Sequence, residues 1–205
     1  MITIVITGPS GSGKSYLSNK LYKLFNNSIV IKTDSYYRDN IFIRFLSMCF
    51  YDIYDRPLSI NKKELKNTLI ALHNKVKLIT LYQYDFKRRQ SSHSKKIINY
   101  KGDNQFLILE GIFAHRLDLN YQDTINIICE EKKDICFNRR LIRDKLERNR
   151  NTSEVKRKFT RSWNLFYKNV RGYLDINRKI LLYPVDKISY DNLVNYLQKV
   201  SKKNN

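Results

Sequence analysis

The chain has 205 residues, 42% hydrophobic and 13% aromatic, with only six Gly and three Pro, which suits one sizeable core and excludes a disordered or fibrous protein apart from a polar tail over 201–205. Lys and Arg number 39 against 19 Asp and Glu, a formal charge of +20; this fits a nucleic-acid surface, an anionic small substrate or a merely Lys-rich composition, and decides nothing alone. The apolar runs are no longer than strands, and the three His and three Cys (Cys49, Cys129, Cys136) are scattered, so a membrane span, a zinc site and a disulfide framework are all excluded from the expectation, which is free thiols in a cytoplasmic protein.

The first predicted element is a strand, ITIVIT at 2–7, followed by a helix over 14–25 with Leu17, Leu21 and Leu24 at helical spacing. A second strand is expected at SIVIKT (28–33), then a helix over 61–73 carrying Leu65, Leu69 and Leu72. VKLITLY (76–82) reads as a third strand, and the long polar stretch around 87–100 as a protruding hairpin or flap, about 84–104. FLILE (106–110) and INIICE (125–130) are further strands, and 132–149 is a helix whose buried side is marked by Ile135, Ile142 and Leu146. A helix over 154–170, the strand ILLYP (180–184) and a helix over 190–200 complete the chain. Strands alternating with helices, mostly as continuous apolar runs, predict an α/β fold: a mostly parallel sheet covered by helices on both faces. No repeat, linker or composition break divides it, so 1–205 is expected to be a single domain.

The first strand runs into Gly8-Pro9-Ser10-Gly11-Ser12-Gly13-Lys14-Ser15, which satisfies G-x-x-x-x-G-K-[ST]. Glycines let backbone N–H groups wrap an anion, and the helix that follows adds its positive end. Lys14 is placed to reach the β- and γ-phosphates, and the Ser15 hydroxyl to bind Mg2+. A Gly-rich turn that binds nothing is the plain alternative, and the strand before and helix after argue against it. The expectation is a P-loop NTPase fold holding a nucleoside triphosphate.

Two carboxylates fall at strand ends on the same expected edge of the sheet, Asp34 in KTDSYYRD and Glu110 closing FLILE. Phosphoryl transfer needs a base or orienting carboxylate at the attacking hydroxyl and carboxylates in the magnesium shell, and these two fit those tasks better than a turn and a strand exit. RRLIRDKLERNR (139–150) puts five arginines in twelve residues. Either this is a solvated helix of pairs such as Asp144–Arg148, or, beside a P-loop, a lid over about 139–160 whose guanidinium groups stabilise the transferring phosphoryl. YDIYDRP (51–57) and YDF (84–86) mix rings that can sandwich a base with acids that can hold sugar hydroxyls; tyrosine is also an ordinary core residue.

Together GPSGSGKS, DSYYRD, YDIYDRP, YDF, LEGIFA and RRLIRDKLERNR, in this order over residues 2–150, resemble the uridine–cytidine kinase family, in the phosphoribulokinase/uridine kinase group of P-loop kinases. The resemblance implies ATP with Mg2+ and a small alcohol acceptor. It makes Asp34 the base for a nucleoside 5′-hydroxyl, with Lys14 and Arg143 assisting, and places Tyr37 beside the acceptor sugar and Asp55 on the ribose hydroxyls. Tyr54, Tyr84 and Phe86 would form the base pocket, and Arg140 would touch the acceptor. Arg143, Arg148 and Arg150 would close on the phosphates, with Ser15 and Glu110 in the magnesium shell. Three positions depart from the pattern. Arg89 stands where a histidine usually reads the pyrimidine, Arg56 turns DHP into DRP, and Lys158 replaces a glutamine. These cations leave open a kinase whose acceptor already carries a phosphate. A P-loop protein acting on RNA ends is a more distant alternative, disfavoured because no nucleic-acid module is recognisable. Self-association is left undecided.

Overall fold

The structure is a computed structural model, and it describes the chain apart from residues 26–27, 39–41, 44, 47–52, 54–55, 86–87, 89, 101–105, 117–123, 175–178, 184–185 and 204–205; the side chains of 171–174, 179, 181 and 203 are also outside the description. In chain order the elements are β1 (Ile2–Thr7), α1 (Lys14–Leu24), β2 (Ile29–Lys32), α2 (Lys62–His73), β3 (Leu78–Asp85), β4 (Gln90–Ile97), β5 (Phe106–Glu110), β6 (Thr124–Cys129), α3 (Lys133–Arg148), α4 (Thr152–Leu174), β7 (Lys179–Leu182) and α5 (Lys187–Lys203).

Five strands form one parallel sheet in the order β2-β5-β1-β6-β7. Alternate residues of β1 serve its two faces. Ile4 and Ile6 pack with Leu17 and Leu21 of α1 and Leu193 and Leu197 of α5. Val5 packs the other way, with Leu107, Leu109 and the Leu65, Leu69 and Leu72 stripe of α2. Those three leucines are 0% exposed, so each contributes about 1.5–3 kcal/mol of burial. On this second face α4 sets Phe166 and Val170 against Ile112, Phe113 and Ile128. Helix α2 begins where the Asn61 side chain accepts the Glu64 N–H, and α3 ends where Asn149 turns left-handed at φ 51. Among the described residues no helix is long and apolar enough to cross a membrane.

Four expectations need correction. VKLITLY does not join the parallel sheet: β3 pairs antiparallel with β4 in a separate two-stranded ribbon, from Leu78 opposite Ile97 to Asp85 opposite Gln90. The first apolar residue of β3, Leu78, is left 54% exposed. The ribbon is the hairpin foreseen for the flap, and it starts earlier, at residue 78 rather than 84. In α3 two of the residues expected on the buried side face outward, Ile142 at 61% and Leu146 at 80% exposure, while Cys136, Arg140 and Asp144 are buried. A polar stripe turns inward here because its charges find one another. Finally, residues 201–203 continue helix α5 rather than forming a loose tail.

The sheet order fixes the chemistry's address. Strand β5 lies between β1 and β2, and Glu110 stands level with Ile6 on one side and Lys32 on the other. The exits of β1, β5 and β2 therefore succeed one another along one edge, so Asp34 is one strand farther from the P-loop than Glu110.

Candidate active site

The turn after β1 is shaped by Gly11 and Gly13, both left-handed at φ 91. A Cβ at Gly11 would lie 2.3 Å from the carbonyl oxygen of Cys136, so the loop lies directly on the first turns of α3 and admits no side chain there. Such a glycine-lined cradle at a helix N-terminus fits a phosphate chain. Lys14 is buried, and its Nζ donates to Pro9 O at 3.0 Å, within its own loop. Burial pulls its ammonium below the ordinary lysine range, while the Glu110 and Asp34 carboxylates pull the other way. Both acids are thus within electrostatic reach of the P-loop lysine. Ser15 Oγ donates to Glu110 Oε1 at 2.7 Å, and Ser18 Oγ reaches Oε2 at 3.4 Å. Among the described residues there is no cluster of three or more metal-ligating side chains. One hydroxyl and one carboxylate are nevertheless the hard oxygen donors that Mg2+ takes when substrate phosphates supply the rest.

Asp34 belongs to a short 3-10 turn over Thr33–Tyr36 that leaves β2. The turn is wedged against the exit of β5: a Cβ on Gly111 would lie 1.8 Å from Thr33 Oγ1. Gly111→Ala is expected to force the two exits apart at a cost of about 1–3 kcal/mol, and to lower turnover as the Asp34 and Glu110 segments separate. Thermal melting and kcat measured together check this, and a variant with parent values for both would refute the wedge. Asp34, Tyr37 and Arg56 line one recess with Thr33, Ile60, Ile112 and Phe113. Tyr37 is buried and meets Tyr84 of β3 edge-on, with centroids 5.2 Å apart. The Tyr36 and Tyr82 rings lie 5.1 Å apart, and Tyr36 OH donates to Thr68 Oγ1 at 3.1 Å. Two ring pairs therefore staple the β3–β4 ribbon to the turn that carries Asp34. Of the other expected acceptor residues, Tyr54, Asp55, Phe86 and Arg89 lie outside the described residues.

The arginine helix closes the other side of the cradle. Arg139 Nη1 donates to Gly11 O at 3.2 Å, and Arg143 Nη2 to Ser10 Oγ at 3.4 Å. Arg143, Arg148 and Arg150 all pair with Asp144, at 2.9, 3.5 and 2.9 Å. Burial alone would push the Asp144 carboxyl up; Arg148, Arg143 and Arg140 overcome it and hold the group below the usual carboxylate range. Arg140, expected at the acceptor, is 4% exposed between α3 and α4 and donates to Ser162 Oγ at 2.7 Å. Lys158 pairs with Glu154 at 2.9 Å, and Glu154 with Arg150 at 3.7 Å, so this cation is tied to the arginine segment. Burial pushes the Cys129 thiol up to about 12 and Cys136 to about 11, which leaves both as protonated packing groups behind the P-loop. Two residues of the site, Ser18 and Ser162, are absent from the sequence-based expectation, and Asp144 enters it only as a partner of Arg148 in a solvated helix. Ser18 carries a signal, standing one turn after Ser15 on the same helical face, and so does Asp144, midway between Arg140 and Arg148 at i±4; Ser162 carries none.

The sequence profile described as the Phosphoribulokinase / Uridine kinase family matches residues 3–177. The chain belongs to that family. It is a P-loop kinase, a phosphotransferase with an alcohol acceptor, and kinases of this family use ATP. The chain is 32% identical over 173 residues to a uridine kinase of Psychromonas ingrahamii, covering 78% of this chain and 77% of that one. It is 33% identical over 162 residues to a uridine kinase of Haemophilus ducreyi, covering 75% and 72%. Its fold is similar to that of a possible uridine kinase from Bacillus stearothermophilus, with a TM-score of 0.55, 14% identity and 87% of each chain covered. The likeness to that neighbour is one of fold.

Proposed function

We propose that this kinase transfers the γ-phosphate of ATP to the 5′-hydroxyl of a pyrimidine ribonucleoside, uridine or cytidine, giving the monophosphate and ADP. The observation that carries the reading is the carboxylate of Asp34 at the exit next to Glu110, near enough for both to act on the Lys14 ammonium. Asp34 takes the proton of the acceptor hydroxyl as its oxygen bonds to the γ-phosphorus, and the bond from that phosphorus to the β,γ-bridging oxygen breaks. The backbone of residues 8–13 and Lys14 bind the phosphates. Arg143, Arg148 and Arg150 stabilise the charge that spreads over the transferring group. Ser15 and Glu110 would hold Mg2+, which would neutralise charge on the phosphate oxygens. Tyr37 and Tyr84 form the wall of the acceptor site on the ribbon side. The choice of a nucleoside is supported by the relatives at 32% and 33% identity, both named uridine kinases.

A second reading, an acceptor that already bears a phosphate, draws on one observation: Arg56 lines the same recess as Asp34. ATP consumption with Mg2+ across uridine, cytidine, other nucleosides, ribulose 5-phosphate and a short 5′-hydroxyl RNA separates the two. Turnover with uridine or cytidine is expected. Turnover confined to the phosphorylated sugar would overturn the nucleoside reading and assign Arg56 to the acceptor's phosphate.

A further inference from the structure

Asp144 is a carboxylate with 0% exposure that the phosphate cradle itself does not need. Four guanidinium groups converge on it, and they divide its oxygens. Arg143 Nη2 and Arg148 Nη1 approach Oδ1 at 2.9 and 3.5 Å, while Arg150 Nη1 and Arg140 Nε approach Oδ2 at 2.9 and 3.5 Å. Arg140 is buried and anchored to Ser162 of α4. Arg143 spans the gap, holding Asp144 with one edge of its guanidinium and Ser10 of the P-loop at 3.4 Å. Four like charges this close repel strongly when little water lies between them. Without the carboxylate, the long side chains of Arg143 and Arg148 would turn to solvent, where their rotamer freedom is largest.

We infer that Asp144 is a positioning residue for phosphoryl transfer: it gathers Arg143, Arg148 and Arg150 on one carboxylate and keeps Arg143 against the P-loop before any nucleotide arrives. This rests on the phosphotransferase reading of the site, and it assigns to Asp144 a task that phosphate contact alone does not. Charge stabilisation is most effective when the donors need no rearrangement at the moment of transfer. A carboxylate of fixed position provides that arrangement in the resting protein. The competing account is purely structural, with Asp144 joining α3 to the segment that follows it through Arg150.

Kinetics of the full chain with the acceptor that supports turnover, at a temperature where melting curves show full folding, separate these accounts. Asp144→Asn keeps the shape and removes the charge. It is expected to lower kcat at least about tenfold while the KM for ATP changes less than about threefold, since the loss falls on the transition state. In an Arg143→Ala background the same change is expected to cost less than it does in the parent, because the arginine it holds against the P-loop is gone. Parent-like kcat in Asp144→Asn, or an undiminished loss in the Arg143→Ala background, would overturn the proposal. If Asp144→Asn does not fold, Asp144→Glu carries the test. It retains the charge but moves it by one methylene, so a stable protein with reduced kcat is expected, and parent-like kcat would again be fatal. A parent protein that turns over none of the acceptors would instead remove the phosphotransfer reading itself, and the Asp144 role with it.

Discussion

Lys14→Ala is expected to reduce turnover at least about 100- to 1000-fold, on the order of what one preorganised charge-stabilising donor contributes, with little change in melting temperature. The stability half of this follows from the lysine's surroundings. Its ammonium is buried, burial disfavours its charge, and its hydrogen bond is to a backbone carbonyl of its own loop. Removing it relieves a desolvated cation at the loss of one hydrogen bond to its own loop. The catalytic half follows from the loop's shape, because the left-handed Gly11 and Gly13 bend the backbone round a volume beside which Lys14 is the first side chain of α1. Steady-state kinetics and thermal melting on the same preparation test both halves. A variant retaining more than about a tenth of the parent turnover would contradict the phosphate-binding role.

Asp34→Ala is the second large effect, with turnover expected to fall about 100- to 10,000-fold, the usual range for a general base. Asp34 sits on the far side of Glu110 from the P-loop, in a turn whose neighbours form the recess with Tyr37 and Arg56. Its loss should therefore leave nucleotide binding nearly intact, measured as the affinity for ADP with Mg2+. The turn itself should also persist, since it is held by the buried Tyr36 and Tyr37 rings and by the packing of Thr33 on Gly111. Full activity in Asp34→Ala would show that the base is another group. Loss of nucleotide binding would show that Asp34 belongs to the donor side.

The cradle was legible in the sequence because its chemistry is local: eight consecutive residues, a strand before them and a helix after. The strand exits at Asp34 and Glu110 were legible for a similar reason, as continuous apolar runs closed by an acid. What failed were inferences that needed a neighbour. VKLITLY has the apolar content of a buried strand, and only the presence of β4 alongside shows that it belongs to a ribbon. In α3 the apolar residues Ile142 and Leu146 point outward because the inward stripe is made of charges that neutralise one another around Asp144. Hydrophobic periodicity has no means of registering such a stripe. The contact of Arg140 with Ser162 was hidden for the same cause, since that serine lies on another helix.

The two ring pairs between the Asp34 turn and the β3–β4 ribbon have a consequence for how such a kinase changes over generations. Much of what lines the recess beside Asp34, the turn after β2 with Arg56 and Ile60, lies outside the five-stranded sheet, whereas the glycine-rich loop is pinned between β1, α1 and α3. Substitutions at Tyr82 or Tyr84 of the ribbon would act first on the turn that carries Asp34. Selectivity for the alcohol can then drift as an independent trait, under its own selection, while the machinery for handling the phosphate donor stays constant.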